Sequence, residues 1–445
     1  MQNSISRPAA DLVIEARWII PVEPTGDVLE NHAVAISNGK IIALAPRDEV
    51  NSTYHAAEIL RLDSHALIPG LVNLHSHAAM TLMRGLADDT QLMDWLTNHI
   101  WPAEARHMSP QFVHDGSLLA CAEMLRGGIT CFNDMYFYPE MTARAALAAG
   151  MRAALGIVVI EFPTAYASDA RDYLRKGLQV RDECKHEPLL TFCMAPHAPY
   201  TVGDKTFEQV LMLSEQLQIP INTHLHETQD EIRESLAKFG TRPIARLEKL
   251  GLLGPGFIAV HAVHLDTAEI ELLGRLGCSV AHCPSSNLKL ASGIAPVGRM
   301  QSSGINVGLG TDGAASNNRL DIFTEMRTAA LLAKATSENA ETLPAHAALR
   351  MATLNAARAL GIEQTIGSIE VGKSADLCAV NFDSIELSPC YDPVSHLVYA
   401  AGREHVSDVW VAGRRVVHSG QLPHLDNLEL TRKAREWHSR IANSN

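Results

Sequence analysis

No run approaching the ~20 apolar residues needed to cross a bilayer occurs in this 445-residue chain. The expectation is therefore a soluble protein without a membrane partner. Residues 1–15 are polar and lack the apolar core of a signal peptide. None of the eight cysteines forms a CxxC pair, and several sit inside apolar runs, where cysteine acts as a small buried hydrophobe. Together these absences favour a reducing cytoplasm. No Lys/Arg run interrupts a formal net charge of −13, so the basic stripe that DNA or RNA would require is missing. Neither GxGxxG nor GxxxxGK[ST] follows the first strand-like run, which argues against a nucleotide-binding open sheet. Repeats and low-complexity linkers are also absent.

What is present is ample core material, with 47% hydrophobic residues. Eight strand-like runs fill the middle of the chain. The first covers residues 67–77 and ends in His75-Ser76-His77. The next three cover residues 129–135 with Asp134, 152–160 followed by Glu161, and 189–196 followed by His197. Residues 219–223 lead into His224-Leu225-His226-Glu227, and 257–260 into His261, with His264 beyond. Residues 278–281 lead into His282, and 305–310 into Thr311-Asp312-Gly313. Helical segments are predicted between them, among them 112–126 and 206–217. Alternating strands and helices predict a parallel sheet with crossover connections. Eight such units over about 250 residues predict an α/β fold of the (β/α)8 type, whose active site lies at the C-terminal strand ends.

Both chain ends read differently. Residues 11–68 hold short β-rich runs, with Asn38-Gly39 a two-residue hairpin signal. Residues 375–381 and 407–417 are also β-rich, with Ala412-Gly413 at a turn. The predicted organisation is a small β-sandwich built from residues 1–68 and 368–445, with a barrel at 69–367 inserted between its halves. Residues 344–360 and 426–445 are predicted helices, the second with a frayed end.

His75 and His77 are i and i+2 on a strand and so share a face. With His224 after the fifth strand and Asp312 after the eighth, they form a ligand set suited to one divalent metal, Zn²⁺ before Fe²⁺ or Mn²⁺. Residues 190–196 lack the lysine that bridges two metals in some barrels of this kind, which favours one ion. Glu227 is either a helix N-terminal carboxylate or a general acid/base beside the metal. His261 could orient or deprotonate the attacking water. His197 and Glu104 lie near the rim and could touch substrate. His226 should point away from His224. His264 reads as a loop residue, and His282 as less than even for catalysis. Asp134 and Glu161 end strands without an evident role, and His55, His186 and His418 read as surface groups. Residues 88–101, with Trp95, are a candidate substrate-covering loop.

The segments 69–77, 223–228, 260–264, 283–290, 310–313 and 367–377 together resemble the amidohydrolase superfamily. Within it they are similar to the 5′-methylthioadenosine/S-adenosylhomocysteine deaminases, and the likeness spans nearly the whole chain. Guanine deaminases and triazine hydrolases share most of the metal motifs, so guanine, another free base or a chlorotriazine stays open as substrate, and a non-catalytic scaffold is the remoter alternative. The resemblance implies a hydrolase acting on C–N bonds of cyclic amidines, converting an adenine nucleoside to its inosine analogue and ammonia. It implies metal ligation by His75, His77, His224 and Asp312, ring-nitrogen protonation by Glu227, and a His261 adjacent to the hydroxide. Asp312 would also relay a proton to ammonia, Glu104 would bind the ribose hydroxyls, and His197 would contact substrate. The zinc-deaminase pattern HxE with PCxxC is absent. A homodimer is the expected assembly.

Overall fold

The computed structural model describes residues 7–443. Strands β1 (Ala9–Ile19), β2 (Leu29–Glu30), β3 (His32–Ser37), β4 (Lys40–Pro46) and β5 (His55–Pro69) come first. The barrel strands are β6 (Leu71–Ser76), β7 (Ile129–Asp134), β8 (Arg152–Val159), β9 (Leu190–Pro196), β10 (Ile221–Leu225), β11 (Phe257–His261), β12 (Ser279–His282) and β13 (Asn306–Leu309). Strands β14 (Leu377–Asn381), β15 (Val406–Val411) and β16 (Arg414–Val417) follow.

Strands β6 to β13 are parallel and neighbour one another in chain order, the succession of a (β/α)8 barrel. Every residue of β6, β7 and β8 is buried, as expected of parallel strands covered on both faces. The last and first strands are joined by polar bonds. The Asp312 amide donates to the His75 carbonyl at 3.0 Å. The Asn73 side chain accepts from the Thr311 amide (2.9 Å) and donates to Thr311 Oγ1 (2.7 Å). Gly310 is required at this seam, since a Cβ there would lie 2.8 Å from the His75 nitrogen.

The two chain ends pair into one mixed sheet of eight strands, in the order β16-β15-β14-β5-β1-β3-β4 with β2 beside β1. Its hairpins turn where expected. Asn38 and Gly39 both have positive φ (50° and 74°), as do Ala412 and Gly413 (48° and 75°), the geometry of a two-residue turn matched to strand twist. A buried ion pair joins this sheet to the barrel. Arg152, the first residue of β8, donates from Nε to Asp376 Oδ2 at 2.7 Å, and Asp376 Oδ1 also accepts from Ser374 Oγ and the Ala412 amide.

Three local differences from the sequence reading have physical causes. Residues 67–69 end β5 and pair with β14 instead of opening the barrel, because the chain changes sheet at Gly70, whose amide bonds the Asp376 carbonyl at 2.9 Å. The helix expected over 344–360 is two helices, Ala345–Met351 and Leu354–Ala359. It breaks because the Ala352 carbonyl turns out to accept from the Val72 amide at 2.8 Å. The segment at 88–101 is mainly helical: Leu92–Asp94, a π-helical turn Trp95–Ile100 and Trp101–His107 run on without interruption, forming one arm. The terminal helix is Asn427–Ala442; residues 444–445 of its expected frayed end, like residues 1–6, lie outside the described residues. Among the described residues no helix is long and apolar enough to cross a membrane.

Candidate active site

Side chains from four strand ends converge at the C-terminal face of the barrel. His75 lies in β6, His224 in β10, His261 at the end of β11, and Asp312 just after β13. One ligand atom from each of these four lies within 4.8 Å of all the others. His77 joins them, its Nε2 3.2 Å from Asp312 Oδ1. The His75 and His77 rings meet edge to face at 4.8 Å, as i and i+2 residues of one strand can.

Hydrogen bonds fix the ring orientations. Nδ1 of His77 donates to the Met135 carbonyl (2.6 Å), Nδ1 of His224 to the His197 carbonyl (2.7 Å), and Nδ1 of His261 to Asn287 Oδ1 (2.8 Å). Because each partner only accepts, each Nδ1 carries a proton and Nε2 is the nitrogen turned to the cluster, the one a metal would take as its ligand. Both ring nitrogens of His75 are buried without any hydrogen-bond partner. Asp312 Oδ2 is held by Ser286 Oγ (2.6 Å) and Ser316 Oγ (2.7 Å), while Oδ1 takes the Gly313 amide and faces His75 and His77. Orphaned buried nitrogens around an oriented carboxylate fit a divalent cation, and the cluster is a divalent metal site.

Burial drives His75 and His224 well below the ordinary imidazole range and His197 down to about 4, which keeps these rings neutral. Burial would raise Asp312, but the His77 hydrogen bond overrides it and holds the carboxyl well below the usual range. Glu227 is buried with Oε2 3.7 Å from His261 Nε2, and burial raises its carboxyl. The backbone that carries it is clamped by Glu231, whose two oxygens accept from the His226 and Glu227 amides at 2.9 and 2.8 Å. Positive φ at His226 (54°), His261 (71°) and Asp312 (61°) concentrates backbone strain at these strand ends.

A cavity of about 530 Å³ opens above the cluster. His77, His224, Glu227, His261 and Asp312 line it, as does His197, whose Nδ1 bonds Thr201 Oγ1 at 2.9 Å. The helical arm supplies Trp95, Trp101 and Glu104. Glu104 Oε1 accepts from the Tyr136 hydroxyl at 2.6 Å, and burial pushes this carboxyl up to about 7.

Other expected residues lie apart. His226 is buried against the His264 carbonyl and the Ile244 amide. His264 bonds the Ser292 carbonyl and Gln229. Glu161 ties down the start of helix Asp204–Leu217 through Gly203 and Thr206. Asp134 accepts from the Ala78 amide just after His77. His282 is buried outside the cavity lining with Nδ1 unpartnered, and burial lowers it to about 3. His55, His186 and His418 are exposed. Sequence reasoning assigned no role to Tyr136, Glu231, Ser286, Asn287 or Ser316; Ser286 and Asn287 lie inside the 283–290 segment and Ser316 four residues after Asp312, which was the available signal.

Fold and site together define a metal-dependent hydrolase built on a (β/α)8 barrel. An amidohydrolase family model matches residues 66–416. A 5-methylthioadenosine/S-adenosylhomocysteine deaminase of Saccharophagus degradans is 47% identical over 98% of both chains. The crystal structure of an adenosine deaminase from Xanthomonas campestris with bound zinc superposes with a TM-score of 0.97 at 48% identity, covering 98% of this chain and 100% of that one. The zinc complex of the atrazine chlorohydrolase from Arthrobacter aurescens, at 23% identity, shares the fold with a TM-score of 0.88 over 96% of this chain and 99% of that one. The chain belongs to the amidohydrolase family and, within it, to the 5-methylthioadenosine/S-adenosylhomocysteine deaminase family. It is a hydrolytic deaminase acting on C–N bonds.

Proposed function

We propose that this chain deaminates adenine nucleosides (5′-methylthioadenosine, S-adenosylhomocysteine and adenosine) to the inosine analogues, using one Zn²⁺ held by His75, His77, His224 and Asp312. The carrying observation is that the metal cluster and Glu104 line one cavity, Glu104 on a helical arm above the floor. A carboxylate in that position can accept from a ribose diol, which a free base lacks. When bound, the ion lowers the pKa of water to about 7 and so supplies a nucleophile at neutral pH.

The protein groups carry the remaining steps. His197 and Glu104 orient the nucleoside with C6 of the adenine over the cluster. Glu227, raised by burial, holds a proton at a carboxyl oxygen and delivers it to the ring nitrogen beside C6, so charge does not accumulate on the ring as water adds. His261, whose Nε2 lies 3.7 Å from Glu227 Oε2, orients the attacking water. Asp312, steadied by two serine hydroxyls, accepts a proton from that water and passes it to the departing amine, which leaves as ammonia. The absence of lysine in β9 supports a single ion.

All eight cysteines are free, six of them buried, which supports the cytoplasm as the compartment. The expected assembly is a homodimer, which light scattering checks.

The test is the ultraviolet change from adenine to hypoxanthine on metal-loaded protein. Glu104→Gln should raise KM for nucleosides roughly tenfold or more and leave adenine base almost unaffected; equal effects on both would remove the ribose role. His75→Ala should lose about one equivalent of metal by elemental analysis, and full retention would overturn the ligand set.

A further inference from the structure

We propose that the mouth of this cavity selects nucleosides with a small, uncharged 5′ substituent, the methylthio group above all, and that Trp101 and Phe162 make the selection. The proposal rests on the adenine-nucleoside reading of the site. It starts from the charge of the cavity wall. Among the described residues, the ionised or ionisable groups lining the cavity besides histidine and tyrosine are the carboxylates Glu104, Glu227 and Asp312; no lysine or arginine lines it.

The direction of the 5′ end follows from the arm. With adenine over the cluster and the ribose at Glu104, the next surface outward belongs to Trp101, three residues earlier on the same helix face. The Trp101 ring meets Phe162, from the loop after β8, with centroids 6.3 Å apart at 64°. Phe162 is 41% exposed, so this pair stands between the ribose position and solvent. Val158, Ile160 and Leu96 continue the wall with apolar surface.

The Phe162 loop is already braced and has little polar capacity to spare. The Thr164 amide bonds the Ala167 carbonyl (2.9 Å), Thr164 Oγ1 accepts from the Tyr173 hydroxyl (2.6 Å), and the Ala165 carbonyl accepts from the Tyr138 hydroxyl (2.8 Å). Lys176, the cation on the following helix that approaches this loop, is committed to the Tyr166 carbonyl and Asp172.

Both substituents begin with the same 5′ sulfur, which either can set against the aromatic pair; the methylthio group then ends in a methyl that gains from apolar burial. An α-amino-acid tail brings a carboxylate and an ammonium. The carboxylate would leave water for a mouth walled by apolar side chains that offers no cation. Adenosine, with a 5′-hydroxyl, falls between.

The experiment compares kcat/KM for 5′-methylthioadenosine, adenosine and S-adenosylhomocysteine on zinc-loaded enzyme, followed by the adenine-to-hypoxanthine absorbance change. The expected result is methylthioadenosine ahead of S-adenosylhomocysteine by roughly tenfold or more, mainly through KM. Phe162→Arg should narrow or invert that ratio by giving the tail carboxylate a partner. Phe162→Ala, read the same way, should weaken methylthioadenosine more than S-adenosylhomocysteine and so narrow the ratio, and it covers the case in which the arginine variant does not fold. S-adenosylhomocysteine used as well as or better than methylthioadenosine, or a ratio indifferent to both substitutions, overturns the assignment while the deaminase reading stands. No turnover of any of the three on metal-loaded protein overturns both.

Discussion

At the scale of single residues, the catalytic face depends on groups that never touch the cavity. His261 can present Nε2 inward only because Asn287 Oδ1 accepts from its Nδ1 at 2.8 Å. Replacing Asn287 with Ala frees the ring to rotate and to exchange tautomers. Losses of this kind at a metal site cost about 10–100-fold in affinity or activity. Asn287→Ala should therefore lower kcat by that order, with KM little changed and the melting temperature close to that of the parent; unchanged kcat would show that His261 is oriented by packing alone. The inner residues were legible in the sequence because strand alternation puts His75 and His77 on one face by arithmetic. The supporting residues were not. Ser286 and Asn287 reach Asp312 and His261 from the short helix after β12, and nothing in local spacing encodes which strand end that helix folds over; Ser316 reaches Asp312 from the turn that follows it.

At the scale of elements, the eight barrel strands could be read because parallel buried strands are continuous apolar runs, and each ended near a polar residue. The segment at 88–101 was read as a substrate-covering loop; several of its residues from Leu92 to Trp101 line the cavity, but as helix instead of loop. Leu92, Trp95, Leu96 and Ile100 recur at helical spacing, but the π-helical turn at Trp95–Ile100 shifts the phase and blurs that signal. The arm's root is fastened by charge. Lys289 Nζ bonds Asp88 Oδ1 (2.6 Å), the Ala315 carbonyl (2.9 Å) and Asn318 Oδ1 (2.6 Å), and Asn318 Nδ2 closes the circuit to Asp88 Oδ2 at 2.7 Å. This network joins the segment that leads into the arm to the loop that carries Ser316. Lys289→Met removes one cation and leaves three acceptors. Substrate KM should rise several-fold while metal content stays at one equivalent, and amide exchange should quicken over 92–107. Because Asp88 is partly exposed and salt screens such pairs, the parent should lose part of the same advantage at high ionic strength. An unaltered KM together with unaltered exchange would mean that the arm is held by its apolar face alone.

At the scale of the whole molecule, the barrel and the mixed sheet meet at a buried polar joint. The chain leaves the sheet at Pro69 and enters the barrel at Leu71, so β5 and β6 are nearly continuous, and the C-terminal strands return to pair with β5. The Gly70 amide and the Arg152 guanidinium both bond Asp376, one through its carbonyl and the other through its carboxylate. The pairing of the two chain ends was legible from their similar β-rich patterns, but the joint was not: Arg152 and Asp376 are far apart in sequence, and only the fold brings them together. Arg152 is 9% and Asp376 2% exposed. A buried pair of this kind adds little over an apolar substitute, yet removing one member strands the other charge at a cost of about 3–5 kcal/mol. Asp376→Asn keeps the shape and leaves Arg152 without its counter-charge. The expected outcome is a lower denaturation midpoint by that order in free energy, with an unchanged KM in the protein that remains folded, because the joint lies at the opposite end of β8 from the cavity. The double variant Arg152→Met/Asp376→Asn should recover a substantial part of the loss. If it recovers none, the hydrogen bonds from Ser374 and Ala412 to the carboxylate outweigh the ion pair, and the two sheets are held together by Asp376 as an acceptor more than as a charge.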